Sequence, residues 1–178
     1  MTLKKIIFLI NGLFFSLYVT LSFAQKLIPN SNIKANQTTF MTKDLKYENM
    51  SIVHKSSIYH NKTPKISGAD LGLTGEKVNK HSLLNTFKRT FSDERIRQLL
   101  PEGRIVLTFY VSPSGNVLEV EFILNKTTLI TATELEQLEN NIKANVVFNF
   151  NQELTKGGDF FVLVQAVRFS KVLDGTLE

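Results

Sequence analysis

Between Arg104 and Leu124, apolar and polar side chains alternate through two runs separated by a short polar break. Ile105, Leu107, Phe109 and Val111 fall on one side of the first run. Leu118, Val120, Phe122 and Leu124 fall on one side of the second, with Glu119 and Glu121 opposite. A period of two places alternate residues on one face of an extended chain, so each run reads as a half-buried strand. The break, Ser112-Pro113-Ser114-Gly115-Asn116, joins a proline that presets φ to a glycine that accepts positive φ, so it reads as a hairpin loop. The apolar face of such a hairpin has to be buried against another layer.

The flanking sequence supplies that layer. From near Val78, Leu83, Leu84, Phe87 and Phe91 recur at helical spacing. Ser92 reads as the N-cap of a second short helix, with Asp93 and Glu94 in its first turn and Pro101 and Gly103 ending it. After the hairpin, Thr131 with Glu134, or Thr133 with Glu136, fits a capping box. Leu135, Leu138 and Ile142 then line one helix face, and Glu139 is placed to pair with Lys143. Val146 to Phe150 reads as a short strand or the end of that helix, and Gly157-Gly158 as a loop. Phe160 to Phe169 is a last strand, apolar on both faces.

The expected fold is α+β. N-terminal helices precede a β-hairpin, a helix and a closing strand, forming a three-stranded antiparallel sheet with helices on one face. This domain spans residues 78–178. Residues 25–77 read as a polar, low-complexity leader, because eighteen of the thirty-four residues from Asn30 to Thr63 are Asn, Ser, Thr or Lys. One short strand is expected within it, near Ser51 to Tyr59.

The first 24 residues read as a secretory signal peptide. Lys4 and Lys5 give a positive start, Ile6 to Leu21 is mostly apolar, and Ser22-Phe23-Ala24 is a small-x-small cleavage pattern. Cleavage between Ala24 and Gln25 is expected, and an uncleaved membrane anchor is the alternative. Net charge is +5 and unevenly placed. Lys26 to Leu100 holds thirteen basic and six acidic residues, against six and ten from Pro101 onward. The chain has no cysteine, which excludes disulfides, thiolate metal sites, a cysteine nucleophile and a lipid-anchored N-terminal Cys.

Arg104-Ile-Val-Leu-Thr-Phe-Tyr-Val111, the turn at Gly115-Asn116, and Val117-Leu-Glu-Val-Glu-Phe-Ile-Leu124 resemble the C-terminal domain of TonB-type proteins. Val162 to Phe169 is similar to that family's closing strand, so the resemblance covers about Arg104 to Phe169. Phe91-Ser92-Asp93-Glu94-Arg95-Ile96 also resembles a helix found before the hairpin in small secreted proteins of Gram-negative bacteria. The resemblance implies a protein-contact role in the periplasm or outside the cell. Only Pro29 and Pro64 lie between the signal segment and the helices, whereas TonB transducers carry a Pro-rich stretch. A membrane-anchored TonB-like transducer is therefore the alternative reading.

No catalytic constellation is expected. His54, His60 and His81 show no metal-ligand spacing, and without Cys or a placed His a nucleophile has no base. Glu119 and Glu121 share a face and read as the solvent side of a sheet. Gly68, Gly72 and Gly75 match no phosphate loop. Phe87, Lys88, Arg89 and Phe91 mix aromatic and basic residues, but an exported protein rarely meets nucleic acid. The expectation is a non-enzymatic exported protein with no cofactor or metal, acting through contact with a cell-envelope protein by sheet-edge pairing, with self-association also open. An enzyme with an unfamiliar site is a further alternative. The expected interface is the Phe160, Val162, Val164 and Ala166 face of the last strand, because a small sheet buries only one face internally.

Overall fold

The computed structural model describes residues 26–66, 79–151, 153 and 155–177. The expected signal segment, including the Ala24–Gln25 junction, lies outside the described residues. Six strands form one sheet: β1 Asn32–Lys34, β2 Thr39–Asp44, β3 Asn49–His54, β4 Arg104–Val111, β5 Val117–Asn125 and β6 Phe161–Arg168. Their spatial order is β1-β2-β3-β5-β4-β6, and every neighbouring pair is antiparallel. Four α-helices are present among the described residues: α1 Lys80–Thr90, α2 Asp93–Leu99, α3 Ala132–Asn145 and α4 Phe169–Leu173.

This corrects the expected three-stranded sheet. The α+β class holds, but the segment read as a polar leader supplies three more strands. Its strands are only three to six residues long, and each puts few apolar side chains inward: Ile33, Phe40, Met50 and Ile52. Polar residues such as Asn32, Thr39, Lys43 and Ser51 fill most of the other positions, so composition hides an alternation whose inward apolar residues are buried. The junction is β3 with β5, where Ile52 pairs with Phe122 and Met50 with Leu124. The short strand expected near Ser51 to Tyr59 starts two residues earlier and ends at His54.

The hairpin and the return of β6 beside β4 follow the expected course. Phe109 faces Val120 across β4 and β5, and Leu163 across β4 and β6. A register shift between Tyr110 and Val111 ends the regular pairing with β5. Gly115 is required twice over. Its φ is +90°, and an added Cβ would sit 2.0 Å from the Phe148 carbonyl oxygen. The segment after α3 is neither strand nor helix: Val147 makes an isolated bridge to Asn116, and Phe148 N–H donates to the Gly115 carbonyl at 2.9 Å.

Helix ends match their local signals. The Asn79 side chain caps α1 and the Ser92 side chain caps α2. Of the two candidate capping boxes, Thr131 with Glu134 is the one that starts α3. Arg95 reaches from α2 to that same Glu134, with Nε to Oε1 at 2.6 Å and Nη2 to Oε2 at 3.0 Å. Within Phe91–Ile96, then, Phe91 and Ile96 enter the core, Ser92 caps, and Arg95 ties two helices. Glu136, buried on α3, accepts Gln37 N–H at 2.8 Å and Asn36 N–H at 3.0 Å, fastening the β1–β2 turn to the helix.

One face of the sheet, here the inner face, shares a continuous core with the helices. Phe40, Ile52, Phe109 and Phe122 meet Leu83, Phe87, Leu135 and Ile142 there. The opposite, outer face lies under no helix-packed core, and its condition decides what the molecule can do.

Candidate functional site

Ser51, Tyr110, Glu119, Glu121, Val162, Val164 and Ala166 belong to the outer face by strand register. Part of this face is closed. After His54 the chain leaves β3 and runs back over the sheet, and this strap places Ser57, Tyr59 and His60 on it. The Tyr59 ring stacks on Tyr110 at 6.0 Å between centroids and meets Phe160 edge-on at 5.2 Å. Phe160 is consequently buried, although it precedes an edge strand.

Under the strap lies a polar cluster. Glu121 accepts the Ser51 hydroxyl on one oxygen and the Tyr110 hydroxyl on the other, the latter at 3.1 Å. His60 Nδ1 lies 3.5 Å from Glu121 Oε2, an ion pair whenever the imidazole is protonated. Glu119 is 6% exposed, and its Oε1 has no hydrogen-bond partner among the described residues. Burial pushes the Glu119 carboxyl above its ordinary range; the Ser57 hydroxyl opposes this, Glu139 reinforces it, and His54 and Lys143 act against it. Burial, followed by the Glu121 charge and its hydrogen bond, likewise pushes the Tyr110 hydroxyl strongly upward, so it stays a donor.

Glu119 and Glu121 are therefore not the solvated side of a sheet, which corrects that expectation. The covering strap comes from residues distant in sequence, and no strand pattern announces it. The available signal was Tyr110 itself, a large aromatic on the supposed solvent side, opposite Glu119 in register. Ser51 and Ser57 carried no sequence signal at all.

The cluster is covered by the strap and, apart from Glu119 Oε1, its groups are paired with one another, so it builds and steadies the outer face. An open depression of about 490 Å³ lies at the strap's start, lined by Thr38, His54 and Lys55 among others. His54 is engaged there with Glu139, Nε2 to Oε2 at 3.0 Å, and Glu139 also meets Lys143 at 2.7 Å. His81 is exposed on α1. Among the described residues no group of three or more His, Asp or Glu side chains is arranged to hold a metal.

Beyond the strap the outer face is open. Val162 is half-buried, Val164 is 57% exposed and Ala166 is exposed. The four residues expected as an interface thus divide, with Phe160 covered and the other three leading outward along β6. β6 is also an edge strand, bonded only to β4 among the described strands. The sheet's other edge, β1, is three residues long, and its Asn32 and Lys34 are exposed. Short, charged edges resist pairing with other chains; a long edge without Pro, Gly or inward charge does not. β6 has eight residues with no Pro, Gly or inward charge, and its one charged residue, Arg168, stands at its end.

Among the described residues no helix is long and apolar enough to cross a membrane. No protein-family model matches the sequence, and no curated protein matches it. Among solved structures, the chain is similar to the crystal structure of a DUF5043 family protein from Bacteroides uniformis ATCC 8492. The likeness has a TM-score of 0.61 at 15% identity and covers 79% of this chain and 85% of that one. At this identity it speaks for the fold alone.

Proposed function

We propose that this chain is an exported, non-catalytic protein that works by taking an extended segment of another protein onto the edge of β6. The observation that carries the reading is the combination of an eight-residue edge free of Pro, Gly and inward charge with an exposed apolar row, Val164 and Ala166, on the same strand. Strand addition supplies main-chain hydrogen bonds for affinity and alternate side-chain contacts for specificity. The Lys4-Lys5 start, apolar run and Ser22-Phe23-Ala24 pattern support export. The pairing of Glu121 with Ser51, Tyr110 and His60 supports a structural rather than a catalytic use of that carboxylate.

Site-specific photo-crosslinking in the producing cells tests this. A photoreactive residue at Val164 is expected to give discrete protein adducts, and one at exposed Asn140 on α3 is not. Ala166→Pro, which obstructs strand addition, should remove the Val164 adducts. Absence of adducts from Val164, or equal labelling from both sites, would sink the proposal.

A further inference from the structure

The end of the β6 edge carries an unbalanced charge. Arg104 of β4 and Arg168 of β6 are direct cross-strand partners, and both are exposed. Like charges directly opposite each other in a sheet destabilise it. Neither guanidinium has a hydrogen-bond or ion-pair partner among the described residues. The two arginines line an open depression of about 450 Å³ together with Glu102, Gly103 and Ser170. Glu102 does not neutralise them both: it is one carboxylate against two guanidiniums, and its Oε1 already accepts Leu129 N–H at 2.6 Å. The fold keeps an internal repulsion here that no contact within the described chain offsets.

The opposite end of the edge is negative. Asp159 is exposed just before β6, and its Oδ1 accepts Lys65 N–H and Phe160 N–H, each at 3.0 Å. These backbone hydrogen bonds, the Lys65 one first, hold its carboxyl below the usual range, so the charge persists in moderately acid solution. Between the two ends lie Val162, Val164 and Ala166. The edge thus reads, from its start, as acidic, apolar, basic.

We infer that the segment received by β6 is acidic at one end: its carboxylates pair with Arg104 and Arg168 while its apolar side chains lie along Val164 and Ala166. This rests on the edge-docking reading and adds the partner's chemistry and direction. Two adjacent guanidiniums offer bidentate donors matched to carboxylates, and each pairing relieves the Arg–Arg repulsion. Asp159 repels an acidic residue at the wrong end, so only one orientation of the segment satisfies both ends.

Fluorescence anisotropy with the full chain tests it, using labelled octapeptides of alternating Val and Thr. They carry two Glu, two Asn or two Lys at one terminus or the other. A peptide with Glu at the favoured terminus is expected to bind at least tenfold more tightly than its Asn counterpart. Glu at the opposite terminus should give no such gain. Arg104→Glu with Arg168→Glu should transfer the preference to Lys, and Arg104→Lys with Arg168→Lys should keep it for Glu. If the charge reversal impairs folding, Arg104→Gln with Arg168→Gln reads the same quantity as loss of the Glu-over-Asn preference. Equal binding of Glu and Asn peptides would overturn the acidic partner and leave edge docking standing. Failure of every peptide to bind would overturn both.

Discussion

The Tyr110 hydroxyl on β4 donates to Glu121 Oε2 on β5 at 3.1 Å, across the outer face of the sheet. Ser51 on β3 completes the arrangement from the other side, so one carboxylate ties three neighbouring strands together. With His60 from the strap on the same oxygen as Tyr110, Glu121 joins the N-terminal strands to the later hairpin.

Glu121→Ala should therefore destabilise the fold by about 1–3 kcal/mol, the usual cost of leaving hydrogen-bond partners unpaired in a covered site. A surface glutamate would cost no more than ~0.5 kcal/mol. Urea denaturation separates the two values.

Glu119 and Glu134 should give opposite pH dependences. Burial keeps Glu119 protonated in the folded state to higher pH than in the unfolded chain, so folding is favoured less as pH rises through the carboxylate range. Burial also acts to raise Glu134, but the Arg95 hydrogen bond, then the Thr131 backbone hydrogen bond and the Arg95 charge, outweigh it and hold that carboxyl low. Its stabilisation is present above the ordinary glutamate range and is lost as pH falls. Denaturant midpoints between about pH 3 and pH 7, a window spanning the normal carboxylate range, should show Glu119→Gln gaining relative stability toward neutral pH. Glu134→Gln should lose relative stability over the same rise.

A chain beginning at Asn79 should fail as an independent domain. It lacks β1, β2, β3 and the strap, which leaves β5 as a second bare edge and uncovers Phe160, Tyr110 and Glu121. Light scattering should find it aggregated, with strong binding of a hydrophobic dye, while the chain from Gln25 stays dispersed. In the chain from Gln25, Thr39–His54 should resist limited proteolysis as well as β4 does.

The parts of the fold legible in the sequence are those written locally. Ser92, Thr131 and Glu134 sit where the helix-cap chemistry puts them, Gly115 where the hairpin demands positive φ, and Phe109 on an unbroken apolar alternation. The first three strands were illegible because their inward apolar residues are few and sit among mostly polar neighbours such as Lys34, Thr39, Lys43 and Ser51. Phe40 and Ile52 find each other's neighbourhood only through the turn at residues 45–48, whose positive-φ residues are Tyr47 and Glu48 rather than glycine. The outer-face site depends on Tyr59 meeting Phe160 across a hundred residues, a contact no periodicity encodes. What did carry through was the two-sided apolar character of β6: Phe161, Leu163 and Val167 enter the core while Val164 stays exposed.

Amide hydrogen exchange across Phe161–Arg168 in the purified chain shows whether the β6 edge is free. An edge strand bonds one set of alternating amides to its neighbour and leaves the other set to solvent. The set facing β4 should exchange slowly and the residues between them fast. Slow exchange at every amide from Val162 to Val167, as for β4, would mean that the edge is already paired, and the docking role assigned to β6 would be contradicted.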